Sequence, residues 1–107
     1  MAEKWDRMLR SVEEQDIAMM DADLHEDFMF VADYTLETRE DWLATTKAEI
    51  RSGEFKFSQP KLLLETNDLV IFEDVREIDG QKTKHINTTY YKDGKCWRSM
   101  INRVPIL

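Results

Sequence analysis

The 107-residue sequence predicts an α+β domain in which helices come first and a curved, mostly antiparallel sheet wraps around them. Two observations carry this. The first half, up to Ser52, is mainly helical in its periodicity, with one apolar strand interrupting it. The last third reads as a long hairpin: residues 83–91, the turn Asp93-Gly94 and residues 97–104.

In the first predicted helix Trp5, Met8, Leu9 and Val12 recur at i, i+3, i+4 and i+7, one face of an amphipathic helix that should pack on the sheet. Asp16 is placed to cap a short second helix over 17–25, its carboxylate taking up free N–H groups of the first turn. A strand over 28–34 follows, with Phe28, Phe30, Ala32 and Tyr34 on one face. The run Thr38-Arg39-Glu40-Asp41 resembles a capping box with Asp in place of Glu or Gln. It opens a third helix in which Leu43, Thr46, Lys47 and Ile50 share a stripe and Gly53 is the C-cap. Four strands are then expected over 55–65, 69–78, 83–92 and 96–104, separated by Thr66-Asn67-Asp68, Asp79-Gly80-Gln81 and Asp93-Gly94. Pro60 marks an edge position or a bulge.

The length suits one domain over 1–107 with a single core. The lone Cys96 excludes an intramolecular disulfide framework, and the segment after Met1 lacks the pattern of a signal peptide, so a soluble, cytoplasmic protein is expected. The net charge of -7 opposes binding to phosphate backbones, and no apolar run reaches the roughly 20 residues needed to span a bilayer. Neither nucleic acid nor a membrane is therefore an expected partner.

The helix, the short helix running into "DADLHEDFMFV", the capped "TREDWLATT" and the closing "YYKDGKCWRSMINRVP" are together similar to the nuclear transport factor 2-like superfamily, with its SnoaL-like and kinase-association-domain branches coming closest. The resemblance runs from about Trp5 to Pro105, and "DGKCW" looks like the family's strand turn with one residue inserted at Cys96. It implies a cystatin-like cone, a sheet bent around the helices with an apolar cavity opening at one end. It also implies a homodimer formed through the sheet's outer face. Activity stays open, because the superfamily includes isomerases, dehydratases, cyclases, epoxide hydrolases and non-enzymatic assembly domains. The positions matching the catalytic Asp and Tyr of the ketosteroid isomerase branch are Ala32 and Met8, so steroid-type proton abstraction is not expected.

His85 is the best candidate for acid-base work, because its ordinary pKa lies near neutrality, and Asp74 on the neighbouring strand is the natural carboxylate partner to fix its tautomer. A surface His85 is the plainer alternative. Asn87 matches a position where the kinase association domains carry a cavity arginine, and it shares a strand face with His85, Thr89 and Tyr91, a row able to hydrogen-bond an uncharged ligand. Arg103, like Arg76, could hold a carboxylate on a ligand or form a surface ion pair. Tyr34 and Trp42, near where the family's pocket opens, are expected ligand contacts, and Phe72 an aromatic wall. No metal and no cofactor is expected: His25-Glu26-Asp27 lies at a helix-strand junction without ligand spacing. Two readings stand: a small-molecule-binding protein with acid-base chemistry, and a non-catalytic ligand-binding or assembly module.

Overall fold

The computed structural model describes residues 2–106. Three helices, α1 (Glu3–Glu13), α2 (Ile17–Asp23) and α3 (Arg39–Ser52), stand against six strands: β1 (Leu24–Ala32), β2 (Thr35–Thr38), β3 (Lys61–Glu65), β4 (Leu69–Ile78), β5 (Gln81–Lys92) and β6 (Lys95–Pro105). The strands form one open sheet in the order β2-β1-β6-β5-β4-β3. Every neighbouring pair is antiparallel except β1 with β6. No helix among the described residues is long and apolar enough to cross a membrane.

The sequence signals for the helix ends act as expected. Asp16 accepts the Met19 N–H at 3.0 Å. Both bonds of the capping box form at 3.3 Å, Asp41 N–H to Thr38 and Thr38 N–H to Asp41, and Gly53 closes α3 at φ 78°. Ala2 has no side-chain acceptor to offer α1, and the need is met from a distance: Glu65, at the end of β3, accepts the N–H groups of Lys4 and Trp5 at 3.2 and 3.0 Å. A carboxylate there also complements the positive end of the helix dipole. This ties α1 to the sheet edge and sets Trp5 over Val70 and Phe72, with Met8, Leu9, Phe57, Leu62 and Tyr91 packed around them.

Three boundaries depart from expectation. The strand predicted over 55–65 begins only at Lys61, because the N–H groups of Ser58 and Gln59 bond the Asp74 carboxylate rather than a neighbouring strand, and Pro60 has no N–H to offer. The first strand starts earlier, at Leu24, and stops at Ala32, where Asp33 at φ 52° turns the chain into the unanticipated β2. On α3 the predicted stripe is rotated: Lys47 is exposed, Thr46 is buried, and Trp42 and Glu49 are partly covered.

The hairpin turns were legible. Asp79-Gly80 and Asp93-Gly94 both have two consecutive positive φ angles, 52° and 78°, then 54° and 75°, the type I′ geometry whose twist matches that of the strands. In β6, Tyr91 pairs with Cys96 while Tyr90 pairs with Arg98, so Trp97 is the extra residue of a bulge.

Candidate functional site

Between the helices and one face of the sheet lies a cavity of about 380 Å³. Its sheet wall is built by alternation. On β5 the odd-numbered His85, Asn87, Thr89 and Tyr91 face it; on β4 the even-numbered Phe72, Asp74 and Arg76 do. On β6 the bulge lets Cys96, Ser99, Ile101 and Arg103 all face inward, a set that strict alternation forbids. Phe28 and Phe30 of β1 and the inner stripe of α3 complete the wall.

Two aromatic clusters flank the space. Trp5, Phe57 and Phe72 stack with centroids 4.8 to 6.1 Å apart. Trp42 stands edge-on to Phe28 at 5.8 Å and to Phe55 at 6.5 Å. Such edge-to-face pairs are favoured by the ring quadrupole and hold the wall shape.

Of the expected site residues, the fold brings His85, Asp74, Trp42, Phe72, Asn87, Tyr91 and Arg103 onto this one cavity. Tyr34 is the exception: with the strand ending at Ala32, it sits in the β1–β2 turn, fully exposed and away from the lining. The expected ligand contact at Tyr34 is therefore corrected.

His85 and Asp74 are register partners on adjacent strands, both facing in, but no hydrogen bond joins them. The Asp74 carboxylate is engaged elsewhere: it accepts from Ser58 N–H at 3.1 and 3.2 Å, from Gln59 N–H at 2.6 Å and from Arg76 Nε at 3.2 Å. Asp74 thus anchors the segment before β3 and orients Arg76, whose Nη2 also donates to Lys56 O at 2.9 Å. The tautomer-fixing contact expected of Asp74 is not made. Arg103 pairs with Asp33, so its guanidinium is partly committed as well.

His85 is only 9% exposed, and its Nε2 has no hydrogen-bond partner among the described residues. Burial pushes its pKa below the ordinary 6.5; the Arg76 charge adds to the push and Asp74 opposes it. The imidazole is therefore neutral at pH 7, with a polar atom unsatisfied. Beside it, Asn87, Thr89 and Ser99 satisfy one another: Asn87 Nδ2 donates to Ser99 at 3.1 Å, Thr89 donates to Asn87 Oδ1 at 2.6 Å, and the two hydroxyls lie 3.0 Å apart. At the other end, burial pushes the Cys96 thiol up to about 11 and raises Tyr91, with which it hydrogen-bonds, so neither is ionised near neutrality.

Glu49 is among the lining residues that sequence reasoning missed. Its signal was present, since Trp42, Thr45, Thr46 and Glu49 fall at i, i+3, i+4 and i+7, but the more apolar neighbouring stripe outweighed it. Burial raises its pKa above 4.5, Arg76 opposes the rise, and Glu54 and Glu37 add to it.

No protein-family model and no curated protein matches the chain. Solved structures do. A proposed polyketide cyclase from Sinorhizobium meliloti superposes with a TM-score of 0.72 at 12% identity, covering 95% of both chains. IdmH, a proposed polyketide cyclase from Streptomyces antibioticus, gives 0.66 at 14% identity over 95% of this chain and 90% of its own. An NTF2-like protein of unknown function from Cytophaga hutchinsonii gives 0.68 at 15% identity over 92% and 84%. At these identities the likeness is one of fold: the chain has the NTF2-like α+β fold, and its sheet is not closed into a barrel.

Proposed function

We propose that the protein binds a small, largely apolar molecule in the cavity between its sheet and helices and acts on it by proton transfer through His85. The observation that carries this is the buried, neutral imidazole whose Nε2 has no partner on the wall of a 380 Å³ aromatic-lined cavity. An unsatisfied buried polar atom costs on the order of 1–3 kcal/mol, and a ligand group at that atom would offset the cost. Proposed polyketide cyclases with the same fold support the reading at the level of architecture.

In the proposed step the Nε2 lone pair takes a proton from a C–H or O–H of the ligand, and the imidazolium that forms is stabilised by the Asp74 carboxylate on the next strand. The proton then returns to another ligand atom, completing an isomerisation or ring closure. Nothing is oxidised or reduced, and the proton transfer itself uses no cofactor. Phe72, Trp42 and Tyr91 would hold the apolar body, and Asn87 has a second amide N–H to offer a ligand oxygen.

Native mass spectrometry of freshly purified protein, compared with its denatured mass, is the direct test. A retained small molecule supports the reading and supplies the compound on which His85→Ala should abolish turnover and weaken binding by about tenfold, through loss of the contact at Nε2. Full turnover by His85→Ala would refute the catalytic assignment.

A second reading, an assembly module, draws on the outer face of the sheet, where Tyr90, Met100 and Val104 are exposed. A homodimer through this face is compatible with both readings, since the cavity lies on the opposite side.

A further inference from the structure

The cavity has uneven electrostatics. Around His85 the two inward guanidinium groups are already paired, Arg76 with Asp74 and Arg103 with Asp33. Two inward carboxylates are not. Glu37 of β2 accepts a hydrogen bond from Thr45 at 2.7 Å, and neither it nor Glu49 has a Lys, Arg or His nitrogen within 4.0 Å among the described residues. Lys56, also on the lining, is exposed and bonded to neither.

The same end has aromatic walls. Trp42 lies two turns before Glu49 on the inner face of α3, and Phe55 follows the helix, its N–H bonded to Glu49 O and its ring 6.5 Å from that of Trp42. Aromatic rings on a wall shared with carboxylates that make no ion pair attract an organic cation and disfavour an anion. The neutral, unpartnered His85 adds no positive charge to repel one, and burial raises Glu49 against the opposing pull of the more distant Arg76, so a cation in direct contact with Glu49 would favour its charged form.

Building on the cavity reading above, we infer that the ligand carries a protonated amine, which sits against Glu49 and Glu37 beside the Trp42 and Phe55 rings, while its apolar body runs along the sheet wall. This names the chemical class of the ligand as an amphipathic amine. Its apolar body fits Phe28, Phe30, Phe72 and Ile101.

The test is a matched series with one apolar body and three head groups: octylamine, octanol and octanoate. Binding to the full chain at pH 7 is followed by tryptophan fluorescence and by calorimetry. The expected result is a single site at which octylamine binds about tenfold more tightly than octanol and octanoate more weakly than either. The amine preference should shrink toward unity in Glu49→Gln and fall partway in Glu37→Gln, with octanol affinity unchanged in both. Octanol binding as tightly as octylamine, or octanoate binding best, overturns the amine inference and leaves the cavity reading standing. An amine preference that survives both variants overturns the assigned seat. Failure of all three probes to bind overturns the inference and the cavity reading together.

Discussion

At the residue scale Asp74 serves structure before chemistry. It is 2% exposed, and its carboxylate gathers two backbone N–H groups and Arg76. Asp74→Ala strands those donors and should cost about 2–4 kcal/mol in a urea unfolding series, with Asp74→Asn milder because its carbonyl keeps one acceptor. His85 and Glu49 make opposite contributions to the pH dependence of stability. For His85, facing Asp74, Arg76 and the register partner Arg103, the folded pKa lies below 6.5, so the unfolded chain binds more protons. Its contribution is complete above about pH 6.5 and is lost as the pH falls through that value. Glu49, facing Arg76, Glu37 and Glu54, is raised above 4.5, so the stability it adds is present below that pH and lost as pH rises. Thermal melts should therefore show His85→Gln flattening the decline between pH 7 and 5, and Glu49→Gln raising the midpoint at pH 7. The sequence made the inward row His85, Asn87, Thr89, Tyr91 legible, because one regular strand keeps its phase for 12 residues. It could not show that Asp74 would be consumed by Ser58 and Gln59, since that contact spans a loop and depends on where β3 begins.

Elements were readable where local chemistry dictates the backbone. The capping box and Gly53 delimit α3, and two Asp-Gly turns set the ends of β4, β5 and β6. Thr38→Ala should cost about 1 kcal/mol, as removal of an N-cap acceptor usually does. Gly94→Ala should also cost roughly 1 kcal/mol, for a different reason: a Cβ there meets nothing within 4 Å, so the penalty is the positive φ of 75° alone. If Gly94→Ala unfolds at wild-type urea concentration, the turn has changed type, and the Tyr90–Arg98 register should have moved with it in amide chemical shifts. The elements that escaped sequence reading lack such signals. The four residues of β2 have no alternation to display, with Leu36 exposed and only Glu37 partly covered. The bulge at Trp97 breaks the period in β6, so no single phase could have placed Cys96 and Ser99 on one face.

For the molecule as a whole, the late strands carry apolar residues on both faces of the sheet, and one of these faces lines the cavity. The other face is built from the residues that alternate with the lining: Ile86 and Tyr90 of β5, Met100 and Val104 of β6, Ile71 and Val75 of β4, crossed by the Lys84–Glu73 ion pair at 3.1 Å. Tyr90, Met100 and Val104 are exposed, and a second copy placed across a two-fold axis would cover them. Such an isologous contact buries the same apolar patch from each subunit and leaves both cavities open. Sedimentation velocity should therefore give twice the monomer mass for the wild-type chain, and Tyr90→Glu with Met100→Glu should give the monomer, because each like-charged pair brought together at the axis opposes association. Since these side chains point away from the lining, the monomeric variant should keep its octylamine affinity. A wild-type monomer removes the dimer and leaves the cavity proposal untouched; a dimer unaffected by the double substitution moves the interface to another surface, of which the exposed β3 edge with Leu63 and Leu64 is the next to test.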